Sequence, residues 1–344
     1  MRYAKNLILF LIIGLFSLGE LEAQKLTIEG QHFFMDQSPF DMWGIRVASA
    51  TQSDSLTNHL LSVLDDYKSY HVNTIDIYLQ GSSGGFSDPF SSDGKSLDQA
   101  HLARLKKIIE SCADKSMAVV VGVFYQRVMA DIDDTRNLID SLAVVDAVKT
   151  VAKELKPYRN LIINIANEQN SSFYQRCDFY NFNDPVNMIK LCEVVKAEDP
   201  NRLVGAGGYH DSSNVVIGKA EVVDALLFDT FHGDIENGHH SGWHYDYFRE
   251  MGVTGKPLVN VEMFGGWTRK FQPPGVYDKK GKKIHIKEIK EAAKQDGLYV
   301  HFHSNTWCQG PADNYPVRYD LAGMGTPDDP GIRWWFEEVK KRAD

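Results

Sequence analysis

Apolar and polar residues follow two alternating patterns along this chain. Positions 26–35 alternate around Gly30, which predicts a small β-hairpin. Beyond it, short apolar runs are separated by stretches with apolar residues at helical spacing. The runs predict strands at 42–47, 72–78, 117–124, 161–168, 202–206, 223–231, 257–262 and 297–303. The stretches between and after them predict helices at 55–70, 97–115, 138–155, 186–196, 213–219, 243–251, 287–295 and 332–342. The third run, MAVVVGVF, is almost unbroken, as expected of a strand buried on both faces.

Eight strands alternating with helices imply a parallel sheet, and eight is the number that closes a (β/α)8 TIM barrel. An open doubly wound sheet is the alternative, but the glycine-rich phosphate turn it usually carries after the first strand is absent. The expected architecture is one α/β domain over 24–344, with the hairpin plugging the barrel floor. Long segments follow the second strand (80–95) and the seventh (264–283). They place the elaborated face at the C-terminal ends of the strands.

The first residues read differently. Arg2 and Lys5 precede an apolar run from Leu7 to Phe16, too short to span a bilayer comfortably. Ala23 followed by Gln24 is a suitable cleavage point, so 1–23 is expected to be a signal peptide. The product would be exported, periplasmic or secreted, with no stable membrane insertion after cleavage. An uncleaved anchor is the competing reading. The net charge of −9 argues against nucleic acid as a partner. Export would permit disulfides, and Cys177 with Cys192 is the best-placed pair. Isolated buried thiols are the default for these two, Cys112 and Cys308.

Two of the runs end in an acid. Glu168 closes the fourth strand and Glu262 the seventh, on opposite sides of a closed barrel's mouth. A carboxylate is costly to bury unless it is paired or used. Two converging carboxylates are what glycosidic cleavage needs, one to protonate the leaving oxygen and one to attack. For either acid alone, an ordinary salt-bridged residue at a strand end is a competitive explanation. For both together it is the weaker one.

With these residues the chain resembles clan A glycoside hydrolases, family 5 in particular. Asn167-Glu168 is similar to the pair that closes that clan's fourth strand. The resemblance implies that Glu168 is the acid/base and that Asn167 contacts the sugar 2-hydroxyl. Lys256 to Glu262 resembles the segment that ends in the nucleophile. His232 is similar to the family's sixth-strand histidine, and Trp307 to the tryptophan that floors the cleavage point. The resemblance covers nearly all of 24–344 and implies a retaining β-glycosidase acting on a poly- or oligosaccharide. There are departures. Asp76 stands where the family usually has an arginine, with Arg46 as the candidate substitute cation. Gln169 replaces a common proline, and Gly233-Asp234 follow His232 where a tyrosine is usual. The job of orienting the nucleophile would then fall to Tyr209 or another residue.

His210, at the end of the fifth strand, is a candidate sugar contact or a histidine satisfied by backbone groups. Trp267 and Trp307 are the leading aromatic platforms among a mouth set that includes Tyr78, Tyr125 and Phe231. Trp334 and Trp335 read as packing. His239, His240, His244, His301 and His303 lack the arrangement of a metal-dependent barrel hydrolase, so neither metal nor cofactor is expected. The expected partner is a carbohydrate. A catalytically inactive barrel that binds carbohydrate is the second reading, and a metal hydrolase the third.

Overall fold

The computed structural model describes residues 24–82, 85–263, 274–304, 307–309 and 316–343. The expected export segment, 1–23, lies outside the described residues. All eight expected strands form: β1 (Trp43–Arg46), β2 (Thr74–Tyr78), β3 (Ala118–Phe124), β4 (Leu161–Ala166), β5 (Leu203–Ala206), β6 (Ala225–Asp229), β7 (Leu258–Met263) and β8 (Leu298–Phe302). Each is parallel to its neighbours, and β8 pairs with β1 to close the barrel. All seven residues of β3 are buried, because its side chains alternate between the barrel interior and the surrounding helices.

Several helix starts are anchored locally. Ser53, Asp98, Asp140 and Asp184 accept hydrogen bonds from amides in the first turn of the helices that follow them. The helix expected at 287–295 begins earlier and spans Lys279–Ala292. Asp278 caps it by accepting the Gly281 N–H at 2.6 Å. The polar stretch KKGKK carries no apolar period by which sequence could mark that turn. Short helices at Gln126–Met129, Ser172–Arg176 and His232–Glu236 follow β3, β4 and β6 and elaborate the mouth.

The hairpin gains a third strand. Leu26–Glu29, His32–Met35 and Ser38–Pro39 form an antiparallel sheet. Leu26, Phe33 and Met35, followed by Phe40 and Met42, pack with Val120, Ile162, Leu227, Val259 and Tyr299 from the barrel interior. The Phe33 and Tyr299 rings lie 5.0 Å apart. This sheet closes the N-terminal end of the barrel and leaves the opposite end for polar side chains. A second apolar layer joins the outer strand faces to the helices, with Trp334 and Trp335 buried in it. All four cysteines are free and buried. Among the described residues no helix is long and apolar enough to cross a membrane.

Phe33 is 1% exposed at the centre of the floor. Phe33→Ala should lower unfolding stability by about 3–5 kcal/mol, read as a drop in the urea midpoint.

Candidate active site

A break in strand register directs the first acid. Val259 and Val261 both belong to the interior cluster, so a regular β7 would turn Glu262 outward. Phe228 pairs with Asn260, but the next residue, Asp229, pairs with Glu262. Two residues of β7 therefore oppose one step of β6. Such a bulge re-aims the side chain that follows it. Asn260 braces the bulge: its Oδ1 accepts the Glu262 N–H at 3.1 Å, and its Nδ2 donates to Ser241 Oγ at 2.8 Å and to Thr230 Oγ1.

Glu262 enters the mouth against Arg46, which β1 supplies. Arg46 is 1% exposed, and its Nη1 donates to Glu262 Oε2. Its Nη2 donates to Asn167 Oδ1 at 2.7 Å, and the guanidinium lies 4.7 Å over the Tyr78 ring. Gly122 makes room for that ring, since a Cβ there would lie 2.1 Å from Tyr78 Cδ1. Asn167 Nδ2 donates to Gln126 Oε1, and Gln126 Nε2 donates to Glu168 Oε2, both at 2.7 Å. A continuous chain thus runs from Glu262 through Arg46, Asn167 and Gln126 to Glu168. His303 adds a further neighbour, with Nδ1 3.2 Å from Glu262 Oε1.

Glu168 does not close β4 as expected. The strand ends at Ala166, and Glu168 adopts a φ of +42° in the left-handed region. Non-glycine residues rarely rest there, and doing so costs about 1–3 kcal/mol. The turn is held from several directions. Phe124 O accepts the Asn167 N–H, Glu168 O accepts the Ser171 N–H, and Gly207 O accepts the Gln169 N–H. Burial first, and the Glu262 charge second, push the Glu168 carboxyl up to about 8, while Arg46 opposes the shift.

The remaining expected residues fall in different places. Tyr209 is half-buried beside Glu168, bonded to Ser171 and Ser172, and its ring stacks 5.1 Å from Phe231. The partners of Glu262 are instead Arg46 and His303. His210 is exposed at the start of the helix Asp211–Lys219, its N–H 3.4 Å from Asn170 Oδ1. His232 does not close β6. The strand stops at Asp229 and His232 opens the next helix, because the chain has already turned; its side chain lies outside the described residues. Trp267 also lies outside them. Trp307 is not an open platform. It is fully buried, with its indole N–H bonded to Asp320 O at 2.9 Å and Arg318 4.5 Å over its ring.

Gln126, His303 and Asp229 are site residues that sequence reading missed. Gln126 sits on an unpredicted short helix, and Asp229 lay inside a strand drawn two residues too long. His303 did carry a signal: the His-x-His spacing at 301 and 303 sends both rings inward, one to Asp76 at 3.7 Å and one to Glu262. Among the described residues no group of three or more His, Cys, Asp or Glu side chains is placed to hold a metal ion.

Comparison with known proteins bears on the family and the fold. The family model for cellulase (glycosyl hydrolase family 5) matches residues 40–229, more than half of the chain. Among solved structures, a β-mannanase from the blue mussel Mytilus edulis is 14% identical with a TM-score of 0.56, covering 94% of this chain and 97% of that one. A β-glucanase from Saccharophagus degradans, solved with cellotetraose, is 13% identical with a TM-score of 0.60, covering 93% and 94%. A β-1,4-D-mannanase from Cryptopygus antarcticus is 13% identical with a TM-score of 0.56, covering 93% and 95%. At such identities the likeness is one of fold. No curated protein matches the chain.

Removing one partner of a buried ion pair leaves the other charge without compensation. Arg46→Met should therefore cost about 3–5 kcal/mol at neutral pH. Urea denaturation at pH 7 measures the loss.

Proposed function

The chain belongs to glycosyl hydrolase family 5 and is a glycosidase, and we propose that it is a retaining β-glycosidase in which Glu168 is the acid/base and Glu262 the nucleophile. The observation that carries this reading is the opposed electrostatic setting of two carboxylates in one mouth. Glu262 is bound to a buried guanidinium of opposite charge. Among the described residues Glu168 has only the neutral amide of Gln126 as a side-chain hydrogen-bond partner, and it feels the Glu262 charge, so it keeps its proton near neutral pH.

The double displacement follows from this division. Glu168 gives its proton to the glycosidic oxygen while ionised Glu262 attacks the anomeric carbon, forming a glycosyl ester and releasing the leaving sugar. Esterification removes the Glu262 charge, the second cause of the raised Glu168 pKa. Glu168 then becomes the stronger acid and rests as a carboxylate, ready to take a proton from water. Water attacks the ester, Glu168 regains its proton, and Glu262 leaves as the anion that Arg46 stabilises. Asn167 has committed Oδ1 to Arg46 and one Nδ2 hydrogen to Gln126; its second hydrogen is the one left for the sugar 2-hydroxyl. Half-buried Tyr209, stacked on the exposed Phe231, lies on the Glu168 side and suits the apolar face of the leaving sugar. We take the substrate to be a poly- or oligosaccharide, with β-mannans and β-glucans first to be tried. Export to the periplasm or medium is part of the same reading.

Glu168→Gln and Glu262→Gln should each lower kcat/KM on an aryl glycoside by at least roughly 10³-fold with the fold intact. A Glu262→Gln enzyme of full activity would sink the mechanism. Because Glu168 must be protonated to act as acid, kcat/KM should fall as pH rises through about 8. A 2-deoxy-2-fluoro glycoside should add its sugar mass at Glu262, and a barrel that only binds carbohydrate would give no adduct.

A further inference from the structure

The mouth contains a third carboxylate that the two-glutamate mechanism does not use. Asp229 ends β6, two residues beyond Leu227, whose side chain belongs to the interior cluster. Strand alternation therefore turns Asp229 inward, one layer nearer the mouth. Its register partner across the bulge is Glu262. The backbone is fixed on both sides: the Asp229 N–H donates to Gly208 O at 3.0 Å, and the Thr230 N–H donates to Glu262 O at 3.2 Å. The residue is 4% exposed, and its Oδ1 has no hydrogen-bond partner among the described residues. A buried carboxylate in that condition needs a cation, a donor or a proton.

The described surroundings of Asp229 are mainly acidic. Facing Asp229 are Glu262 from β7, Glu168 after β4, Arg46 from β1 and Asp76 from β2. The phenols of Tyr78, Tyr174 and Tyr209 are also within electrostatic range. Arg46 is the one fixed positive charge in this set; its two terminal nitrogens are engaged by Glu262 and Asn167, and its buried Nε has no partner among the described residues. Burial, then the charges of Glu262 and Glu168, push the Asp229 carboxyl well above the ordinary carboxylate range.

We propose that Asp229 is a positioning acid that carries a proton at neutral pH and donates it as a hydrogen bond to the Glu262 carboxylate. The proposal rests on Glu262 being the nucleophile. A neutral acid at this register position adds a third partner to those from β1 and from beyond β8, so Glu262 is held from three sides. It does so without placing a second anion against the single guanidinium. An ionised Asp229 would instead compete with Glu262 for Arg46 and raise the proton affinity of Glu168.

Asp229→Asn keeps a neutral donor of nearly the same shape, and Asp229→Ala removes it. Infrared difference spectra of parent against Asp229→Asn at pH 7 should show loss of one protonated-carboxyl C=O band. Absence of that band overturns the proposal. With the fluorinated glycoside, Asp229→Asn should label Glu262 within about tenfold of the parent rate, and Asp229→Ala roughly 10²-fold more slowly. The alkaline midpoint of kcat/KM should be the same in Asp229→Asn as in the parent. An acidward move of about one unit would mean that an ionised Asp229 had been holding the Glu168 proton, and would overturn the assignment. Labelling of Asp229→Ala at the parent rate would also overturn it. Should Asp229→Ala not fold, the infrared band and the Asp229→Asn midpoint decide. A parent enzyme without an adduct at Glu262 would remove the nucleophile assignment, and the infrared band would still report whether Asp229 holds its proton.

Discussion

The mouth of this barrel is organised around one buried ion pair, Arg46 with Glu262. Removing two charges from water costs several kcal/mol per ion, and the attraction repays this only when the remaining donors and acceptors are also satisfied. Here the second guanidinium arm reaches Asn167, a ring lies beneath the cation, and Asn260 fixes the backbone of the anion. The single positive charge then governs the neighbouring acids. Glu262 has the cation, so Glu168 and Asp229 favour their protons. The proposed acid and nucleophile are thus distinguished by proximity to one arginine, although both are glutamates.

That ion pair requires groups from distant parts of the chain to meet within a few ångströms. The closed barrel achieves this by bringing the ends of β1, β4, β6 and β7 to one rim. Two local irregularities complete it: the bulge on β7 that turns Glu262 inward and the left-handed turn that presents Glu168. Both depart from ideal strand geometry and both sit at the proposed chemistry, where strain of this kind is characteristically found. The hairpin sheet contributes from the other end. By filling the floor with Phe33, Met35 and Phe40, it confines the polar interior to the upper layers.

Much of the fold was legible from apolar periodicity, because strands buried on both faces leave long apolar runs such as Ala118–Phe124. Errors gathered at element ends. Leu161–Ala166 stops before Glu168, and β6 stops before His232, because turns there are set by hydrogen bonds to other strands that periodicity does not register. The same limit applied to the site. Glu168 and Glu262 stood out as acids closing apolar runs, and Arg46 as a cation in one. Gln126 and Asp229 did not stand out, and His303 stood out only as one of several histidines weighed against a metal site. Trp307 looked like an open aromatic, but Arg318 and Asp320, far from any recognisable motif, cover its ring and take its N–H.

What the sequence determined by itself is the barrel, its strand order and the identity of two acids at its mouth. These follow from short-range patterns: burial demands apolar residues at fixed periods, and a charge breaking such a pattern is conspicuous. Only the tertiary structure decided which acid holds the cation, which acids keep their protons, and how the backbone must bend to aim them. Those outcomes depend on distances between residues as far apart in the chain as Arg46 and Glu262. Electrostatic energy in a buried site is set by such distances and by the absence of water, and a linear sequence encodes neither until the chain has folded.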